Sequence, residues 1–253
     1  MSMRILIVND DGIMAPGIRV LEKAAQALSK DIWVVAPETE QSAVSHSLTL
    51  HEPLRIRRIS ARRFAVDGTP TDCVYLAFNK ILADCQPDLV LSGVNRGSNI
   101  GEDVTYSGTI AAAMEATLLG APAIALSQDY ADGARVKWAT AAKWVPKVVR
   151  ESLKAGWPEG VLLNVNFPDI APTAVRGLRV GKQGRHEAAD MFEERVDPRG
   201  RTYYWVGMAD RGNERGAVGT DLRALYEGYV AITPLHLDLT HRSSLTALRK
   251  SLG

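Results

Sequence analysis

Two adjacent carboxylates follow the first apolar run of the sequence, in the tetrapeptide Asn9-Asp10-Asp11-Gly12. Neighbouring acids repel each other, and a cation that both side chains face relieves that repulsion. On a regular strand the two side chains would point to opposite faces, so they can share one ion only if the chain has already turned, which Gly12 permits. A solvated turn with a helix cap just downstream has the same composition. By itself, the tetrapeptide supports both interpretations equally.

A second polar segment, residues 92–101, follows another apolar run and reads Ser92-Gly93-Val94-Asn95-Arg96-Gly97-Ser98-Asn99-Ile100-Gly101. Glycines let the backbone approach a ligand closely, and asparagine supplies a neutral oxygen for a hard cation. The alternative is an idle surface loop. Because loops of this length in a compact domain are more often functional, we favour a ligand-binding loop.

A third segment, Tyr106-Ser107-Gly108-Thr109, opens an alanine-rich helix predicted over residues 108–119. Free N–H groups and the positive end of the helix dipole make such a position a ready anion site, to which the hydroxyls of Ser107 and Thr109 could add donors. A simple helix cap is the alternative, and the position just after a candidate cation loop favours phosphate. A polar turn at residues 37–43 would lie beside the acid pair if the first two strands are neighbours.

The elements that position these segments alternate between strand and helix. A strand at 4–8, a helix at 16–29 and a strand at 32–36 form a βαβ opening, which predicts an α/β fold with a parallel sheet. Further strands are predicted at 54–59, 89–92, 123–126, 161–166 and 228–233, further helices at 72–83 and 136–153, and a polar loop at 93–107. We therefore expect a core over 1–180 that carries the site.

The remaining residues, 181–253, change in character. The stretch 181–220 is rich in Gly, Arg, Asp and Glu and holds an alternating aromatic piece, Tyr203-Tyr204-Trp205-Val206. This composition predicts a protruding β-hairpin arm, followed by a strand and a short helix that complete the fold. The arm is either an oligomerisation element or a surface hairpin.

Composition excludes several classes of function. Thirty basic against twenty-nine acidic residues give a net charge of +1, so no overall field gathers a nucleic acid duplex or an anionic membrane. The sequence contains no Walker loop, no G-x-G-x-x-G after the first strand, no G-x-S-x-G elbow and no zinc pattern around its histidines. With neither a signal peptide nor an apolar membrane span, a cytoplasmic location is expected.

Ordered blocks along almost the whole chain resemble one known family, the stationary-phase survival protein SurE family of 5′/3′-nucleotidases. The blocks are Asn9-Asp10-Asp11-Gly12 with Ala15-Pro16-Gly17, Pro37 with Gln41-Ser42, Gly68-Thr69-Pro70-Thr71-Asp72, Ser92-Gly93-Val94-Asn95-Arg96-Gly97, Tyr106-Ser107-Gly108-Thr109 with Ala112-Ala113-Met114-Glu115, Asn164-Val165-Asn166-Phe167-Pro168 and Ile232-Thr233-Pro234-Leu235. Each block is moderately specific, and together they are highly so.

The resemblance implies a Rossmann-like N-terminal core and a C-terminal arm that is exchanged between the subunits of a homodimer or homotetramer. It also implies one divalent cation per subunit, Mg²⁺ or Mn²⁺. The ligands would be Asp10, Asp11, Ser42 and Asn95, with Asn9 as the active-site asparagine and Ser107, Gly108 and Thr109 as the phosphate-binding turn. Glu38-Thr39-Glu40 departs from the Asp-Arg-Asn often seen there, a change not expected to touch a proposed ligand.

The predicted reaction is hydrolysis of nucleoside monophosphates by a metal-activated water, with Asp10 or Asn9 holding that water and Asp10 as the favoured base. Two alternatives stay open at the level of sequence. One is a non-catalytic nucleotide-binding protein, which would bind ligand without turnover. The other is a metal-dependent glycosyltransferase, which would need a donor sugar and release little phosphate.

Overall fold

The apolar run Arg4–Val8 forms strand β1, near the middle of a nine-stranded sheet. A computed structural model describes residues 3–131, 133–187, 191–207 and 214–253. The other strands are β2 Asp31–Pro37, β3 Ile56–Ser60, β4 Arg63–Val66, β5 Leu89–Arg96, β6 Ala123–Gln128, β7 Val161–Phe167, β8 Leu178–Val180, β9 Met191–Val196, β10 Thr202–Gly207 and β11 Val230–His236. The helices are α1 Pro16–Ala25, α2 Pro70–Leu76, α3 Gly108–Leu118, α4 Trp138–Ala155, α5 Asp221–Tyr226 and α6 Arg242–Leu252.

The strands follow the order β3-β4-β2-β1-β5-β6-β7-β11-β8 across the sheet. Every neighbouring pair from β4 to β7 is parallel, whereas β3 is antiparallel to β4 and β11 is antiparallel to β7. The predicted α/β fold with a mostly parallel sheet is therefore confirmed. The C-terminal strand β11 extends the same sheet.

Helices cover both faces of the sheet, so the central strands are apolar on both sides. Ile5 and Ile7 of β1 pack in one cluster with α1 and α4, and the alternate residues Leu6 and Val8 pack in a second cluster with α2 and α3. None of the helices in the described part of the chain is long and apolar enough to cross a membrane.

Three predicted elements differ from the structure. The helix predicted over 16–29 ends at Ala25. The helix predicted over 72–83 begins earlier, at Pro70, because Thr69 and Asp72 form a capping box, and it ends in a wider π turn, Ala77–Ile81. The polar loop predicted over 93–107 is wrong in part: β5 continues to Arg96, since residues 95 and 96 pair with 127 and 128 of β6, and Gly101–Thr105 form a 3₁₀ turn. Pairing partners distant in sequence override the loop-like composition there.

The predicted hairpin arm is confirmed as β9 and β10, which pair antiparallel in a sheet of their own. Its apolar side chains are exposed, Trp205 at 62% and Val206 at 84%. Parts of the predicted arm, residues 188–190 and 208–213, lie outside the described residues. The boundary between core and arm at residue 180 stays a prediction.

Candidate functional site

The polar segments meet at the carboxyl edge of the sheet, where the strand order reverses. From β1 the chain moves to β2 on one side, and β5 later pairs with β1 on the other side. Ligands bind at such switch points in open α/β sheets. A cleft of about 1200 Å³ opens there. Five of the predicted site residues line it: Asp10, Asp11, Ser42, Asn95 and Ser107.

The acid pair stands in a turn rather than on a regular strand. Gly12 adopts a φ of +97°, and the side-chain amide of Asn9 donates to the Gly12 carbonyl oxygen at 2.9 Å. This turn brings the carboxylates of Asp10 and Asp11 into the same cleft, as sharing one ion requires. Asn9 itself is fully buried beneath the cleft. In the described part of the chain, its Oδ1 atom has no hydrogen-bond partner.

Asp10 lies against the start of α3. The Thr109 hydroxyl, itself fully buried, donates to Asp10 Oδ1. A Cβ atom at Gly108 would come within 2.9 Å of the Asp10 Cβ and 3.2 Å of its Oδ2, so only glycine allows this approach. Burial raises the pKa of Asp10, although the hydrogen bond from Thr109 opposes the change. The predicted phosphate-binding turn and the acid pair are therefore in direct contact.

Asp11 is the more accessible of the two acids. Burial, followed by the neighbouring charge of Asp10, raises the pKa of Asp11 to about 7. The backbone N–H of Arg96 donates to its Oδ2 atom at 3.2 Å, which opposes the shift. Asp10 is buried, Asp11 is half-buried, and both have raised pKa values; a nearby cation would stabilise the charged form of such a pair.

Ser42 reaches the cleft on the loop after β2. The backbone N–H of Gln41 donates to the Asp10 carbonyl oxygen at 2.8 Å, which joins this loop to the acid pair. The Ser42 hydroxyl donates to Glu40 Oε1 at 2.7 Å, and Glu40 also lines the cleft. The expectation that the altered Glu38-Thr39-Glu40 segment touches no proposed ligand was therefore wrong. The negative charge of Glu40 also contributes to the raised pKa of Asp11.

Asn95 lies near the end of β5, and a hydrogen bond fixes the orientation of its side-chain amide. Its Nδ2 atom donates to the Gly97 carbonyl oxygen at 2.9 Å, which leaves Oδ1 as the acceptor available to a ligand. Ser107 is the N-cap of α3, and its Oγ atom accepts from Ile110 N at 3.1 Å. The capping interpretation is correct, and the same residue also lines the cleft.

The opposite wall of the cleft was not found from the sequence. It includes Tyr130, Arg135 and Trp138, and the Arg96 guanidinium lies 5.1 Å from the centre of the Tyr130 ring. Val206 and Gly207 of the hairpin also line the cleft. Tyr130 follows β6 at the carboxyl edge of the sheet, and that position is the signal that could have identified it.

The predicted metal ligands offer oxygen only: two carboxylates, a hydroxyl and an amide oxygen. Such a set fits Mg²⁺ or Mn²⁺ and does not fit zinc or copper. Among the residues that the structure describes, no three His, Cys, Asp or Glu side chains group to hold a metal. With only these four predicted protein ligands, a cation here would keep open positions for water and phosphate.

Comparison with known proteins gives the same assignment as the motifs. The family model described as survival protein SurE matches residues 5–190. This chain belongs to the SurE family. A family member named 5′-nucleotidase SurE from Paramagnetospirillum magneticum is 58% identical over 98% of this chain and 95% of its own length. Another of that name, from Caulobacter vibrioides, is 50% identical over 99% and 97%.

A solved structure of the family agrees with the fold. The crystal structure of the SurE protein from Aquifex aeolicus superposes with a TM-score of 0.86 at 41% sequence identity, covering 99% of this chain and all of that one. The resemblance seen in the ordered motifs is confirmed.

Proposed function

We propose that this chain hydrolyses nucleoside 5′-monophosphates, and 3′-monophosphates, to nucleoside and phosphate with one Mg²⁺ or Mn²⁺ per subunit. The broader activity rests on the family: relatives 50–58% identical to the chain bear the name 5′-nucleotidase, and the chain is a 5′-nucleotidase. The observation that carries the finer proposal is the convergence of the acid pair, Ser42, Asn95 and the start of α3 on one cleft.

In this proposal Asp10, Asp11, Ser42 and Asn95 hold the cation. When bound, it would neutralise phosphoryl charge and make a nearby water more acidic. The buried acid pair supports this assignment, because two repelling carboxylates in a desolvated turn need a compensating positive charge. Asn9 shapes the turn through its bond to Gly12.

We assign Asp10 as the base. Its Oδ1 atom is occupied by the Thr109 hydroxyl, while Oδ2 lies beside Gly108, where the phosphate would sit. A water positioned there would give one proton to Oδ2 as its oxygen bonds to phosphorus in line and the bond from phosphorus to the nucleoside oxygen breaks. That oxygen would take a proton from water in the open cleft and leave as the nucleoside hydroxyl. Asp11 stays on the cation.

The phosphate would bind at the start of α3. The Ser107 hydroxyl, the N–H groups of Gly108 and Thr109 and the dipole of this eleven-residue helix would stabilise the equatorial oxygens. Thr109 differs from the sequence-based expectation in one respect, because its hydroxyl is directed at Asp10. We therefore give its side chain the task of orienting the base.

The size of the cleft supports a nucleotide as the substrate. Its volume of about 1200 Å³ is large for a phosphate and a cation alone, and the wall away from the acid pair carries Tyr130, Val136 and Trp138. Apolar and aromatic surface of this kind suits a nucleobase, which stacks on aromatic rings. We propose that the nucleoside lies along this wall.

We also propose that the chain forms a homodimer or homotetramer through residues 181–220. The support is the exposed apolar surface of the hairpin, which includes Phe192, Val196, Tyr204, Trp205 and Val206. Phe192, Val196, Tyr204 and Val206 share one face of the hairpin and Trp205 lies on the other, so apolar side chains are exposed on both faces. Large exposed apolar patches mark interaction sites.

The test of the proposed function is phosphate release from a panel of 5′- and 3′-nucleoside monophosphates, with EDTA or with added Mn²⁺ or Mg²⁺. We expect release with either metal and its loss with EDTA. Equal release in EDTA would contradict the metal proposal. A glycosyltransferase would instead require a donor sugar, and a binding protein would release nothing.

A further inference from the structure

Gly101 is held from both sides by the C-terminal part of the chain. Its N–H donates to Asp221 Oδ2 at 3.1 Å, and its carbonyl oxygen accepts from Gln183 Nε2 at 2.9 Å. Neither partner lines the cleft or belongs to the predicted site. Both are more than eighty positions away in sequence, so they fix the backbone of this residue in a way that local sequence does not.

Asp221 is built to perform this task. The side chain is fully buried and its Oδ1 atom accepts from Gly184 N at 2.7 Å and Leu222 N at 2.9 Å. With the bond to Gly101 N, the carboxylate joins three backbone segments. Charged hydrogen bonds of this kind are stronger than neutral ones, and a buried carboxylate without them would be costly.

A second contact secures the turn that follows Gly101. The backbone N–H of His186 donates to Glu102 Oε2 at 2.8 Å, and the His186 ring places Nε2 at 3.2 Å from Asp103 Oδ2. Its Nδ1 atom lies 2.5 Å from Glu214 Oε2. The segments that enter and leave the hairpin are therefore both joined to this turn.

The turn leads directly into the proposed phosphate site. The carbonyl oxygen of Asp103 accepts from Tyr106 N at 3.0 Å and Ser107 N at 3.2 Å. The turn is therefore hydrogen-bonded directly to Ser107, the N-cap of α3. On the other side, Asn99 is fixed to the core, where Asn164 Nδ2 donates to its carbonyl oxygen at 2.7 Å and Asn166 Oδ1 accepts from its N–H at 2.8 Å.

We infer that Gln183 and Asp221 are positioning residues for the phosphate-binding turn, acting through Gly101 and the 3₁₀ turn Gly101–Thr105. This inference rests on the proposed function, since it takes Ser107, Gly108 and Thr109 as the phosphate site. It means that the segments flanking the hairpin, which carry Gln183 and Asp221, help to position the phosphate-binding groups. The other predicted cation ligands are held by different contacts: Asp11 accepts from Arg96 N, and Asn95 donates to the Gly97 carbonyl oxygen.

The test compares Gln183→Ala and the isosteric Gln183→Glu, which lacks the donor, with Lys182→Ala as the matched control. Gln183 and Lys182 are both exposed residues on the same segment, and only Gln183 contacts Gly101. Inorganic phosphate binding to the Mn²⁺-loaded protein is measured by calorimetry, Mn²⁺ affinity by electron paramagnetic resonance, and KM and kcat with a nucleoside 5′-monophosphate.

We expect both Gln183 variants to weaken phosphate binding and raise KM by roughly three- to tenfold, as the loss of one hydrogen bond predicts. Asp221→Asn should lose about tenfold or more in kcat/KM, because misplaced binding groups slow the chemical step. The Mn²⁺ Kd should stay within about twofold of the wild-type value in every variant, which separates this role from general loosening of the site.

The inference is overturned if Gln183→Ala binds phosphate as Lys182→Ala does, or if its Mn²⁺ affinity falls as much as its phosphate affinity. The calorimetric titration needs no turnover. A wild-type protein that binds phosphate but releases none from nucleotides would therefore defeat the proposed function while leaving the positioning role open to measurement.

Discussion

Asp10 is an acid that the fold buries and Asp11 is one that it half-buries, whereas the β9–β10 hairpin carries apolar side chains that the fold leaves exposed. Both regions depart from the usual distribution, in which buried charges are paired and large apolar surfaces are covered. The difference indicates what each region lacks. A positive charge would stabilise the acid pair, and contact with another apolar surface would stabilise the hairpin.

The acid pair should show the largest effect when one carboxylate is removed. We expect Asp11→Asn to lower kcat by at least about 10²-fold, because the cation loses a charged ligand. The fold should be unchanged, and without metal its Tm should equal or exceed that of the wild type, since one repelling charge is gone. Steady-state kinetics and thermal melts without metal test both statements.

The matched control for that variant is Asp84→Asn, at an exposed aspartate outside the cleft. It should keep wild-type kinetics. Turnover of Asp11→Asn close to that of Asp84→Asn would remove Asp11 from the metal site.

A charge introduced into the exposed apolar surface of the hairpin should weaken the proposed dimer. Trp205→Glu is expected to raise the dimer Kd by roughly 30-fold, because about 2 kcal/mol of apolar burial is lost. Light scattering after size exclusion would show the shift toward the 27.5 kDa monomer. Arg199→Glu, at an exposed position between β9 and β10, serves as the control and should leave the mass unchanged. If Trp205→Glu keeps the wild-type mass as Arg199→Glu does, the hairpin is only a surface feature.

The raised pKa of Asp11 predicts a pH dependence of metal binding. Its pKa of about 7 means that the metal-free acid holds a proton below pH 7, and the cation must displace it. Affinity should therefore rise with pH, the Mn²⁺ Kd falling by about tenfold from pH 6 to pH 8 and changing little above that. Titrations at a series of pH values test this. A Kd that is flat across the range would show that the metal-free Asp11 does not hold a proton at pH 6.

The smallest effect is expected at the nucleoside wall. Tyr130→Ala should raise KM for a nucleoside monophosphate by about fivefold, as the loss of one stacking contact of ~1 kcal/mol implies. KM for p-nitrophenyl phosphate, which has no base, should change much less. Tyr75→Ala, at an exposed tyrosine away from the cleft, is the control. A uniform increase for both substrates would place the nucleoside elsewhere.

The sheet and its polar strand ends could be predicted because the signals are local. A short apolar run ending in Asn9-Asp10-Asp11-Gly12 specifies both a buried strand and the turn that follows it. Ser107 likewise predicts both a cap and an anion site from its position before an alanine-rich helix.

The rest depends on contacts between distant residues. Residues 93–107 are polar and rich in glycine, so the end of β5 and the 3₁₀ turn follow only from distant partners, residues 127 and 128 of β6 for the strand and Asp221 for the turn. The contact between Glu40 and Ser42 depends on how the loop after β2 folds over the acid pair. Tyr130 reaches the cleft because β6 lies beside β5, and the order of strands is not visible in local composition.

Strand β11 comes late in the chain but pairs with a strand of the core. It covers one side of β7, the strand that carries Asn164 and Asn166. A fragment ending at residue 180 would leave β7 as an open edge with unpaired N–H and C=O groups, a template for aggregation. Asn164 and Asn166, which hydrogen-bond to the backbone of Asn99, would then lie on an edge strand. We expect the enzyme to tolerate loss of the hairpin tip far better than loss of its last thirty residues.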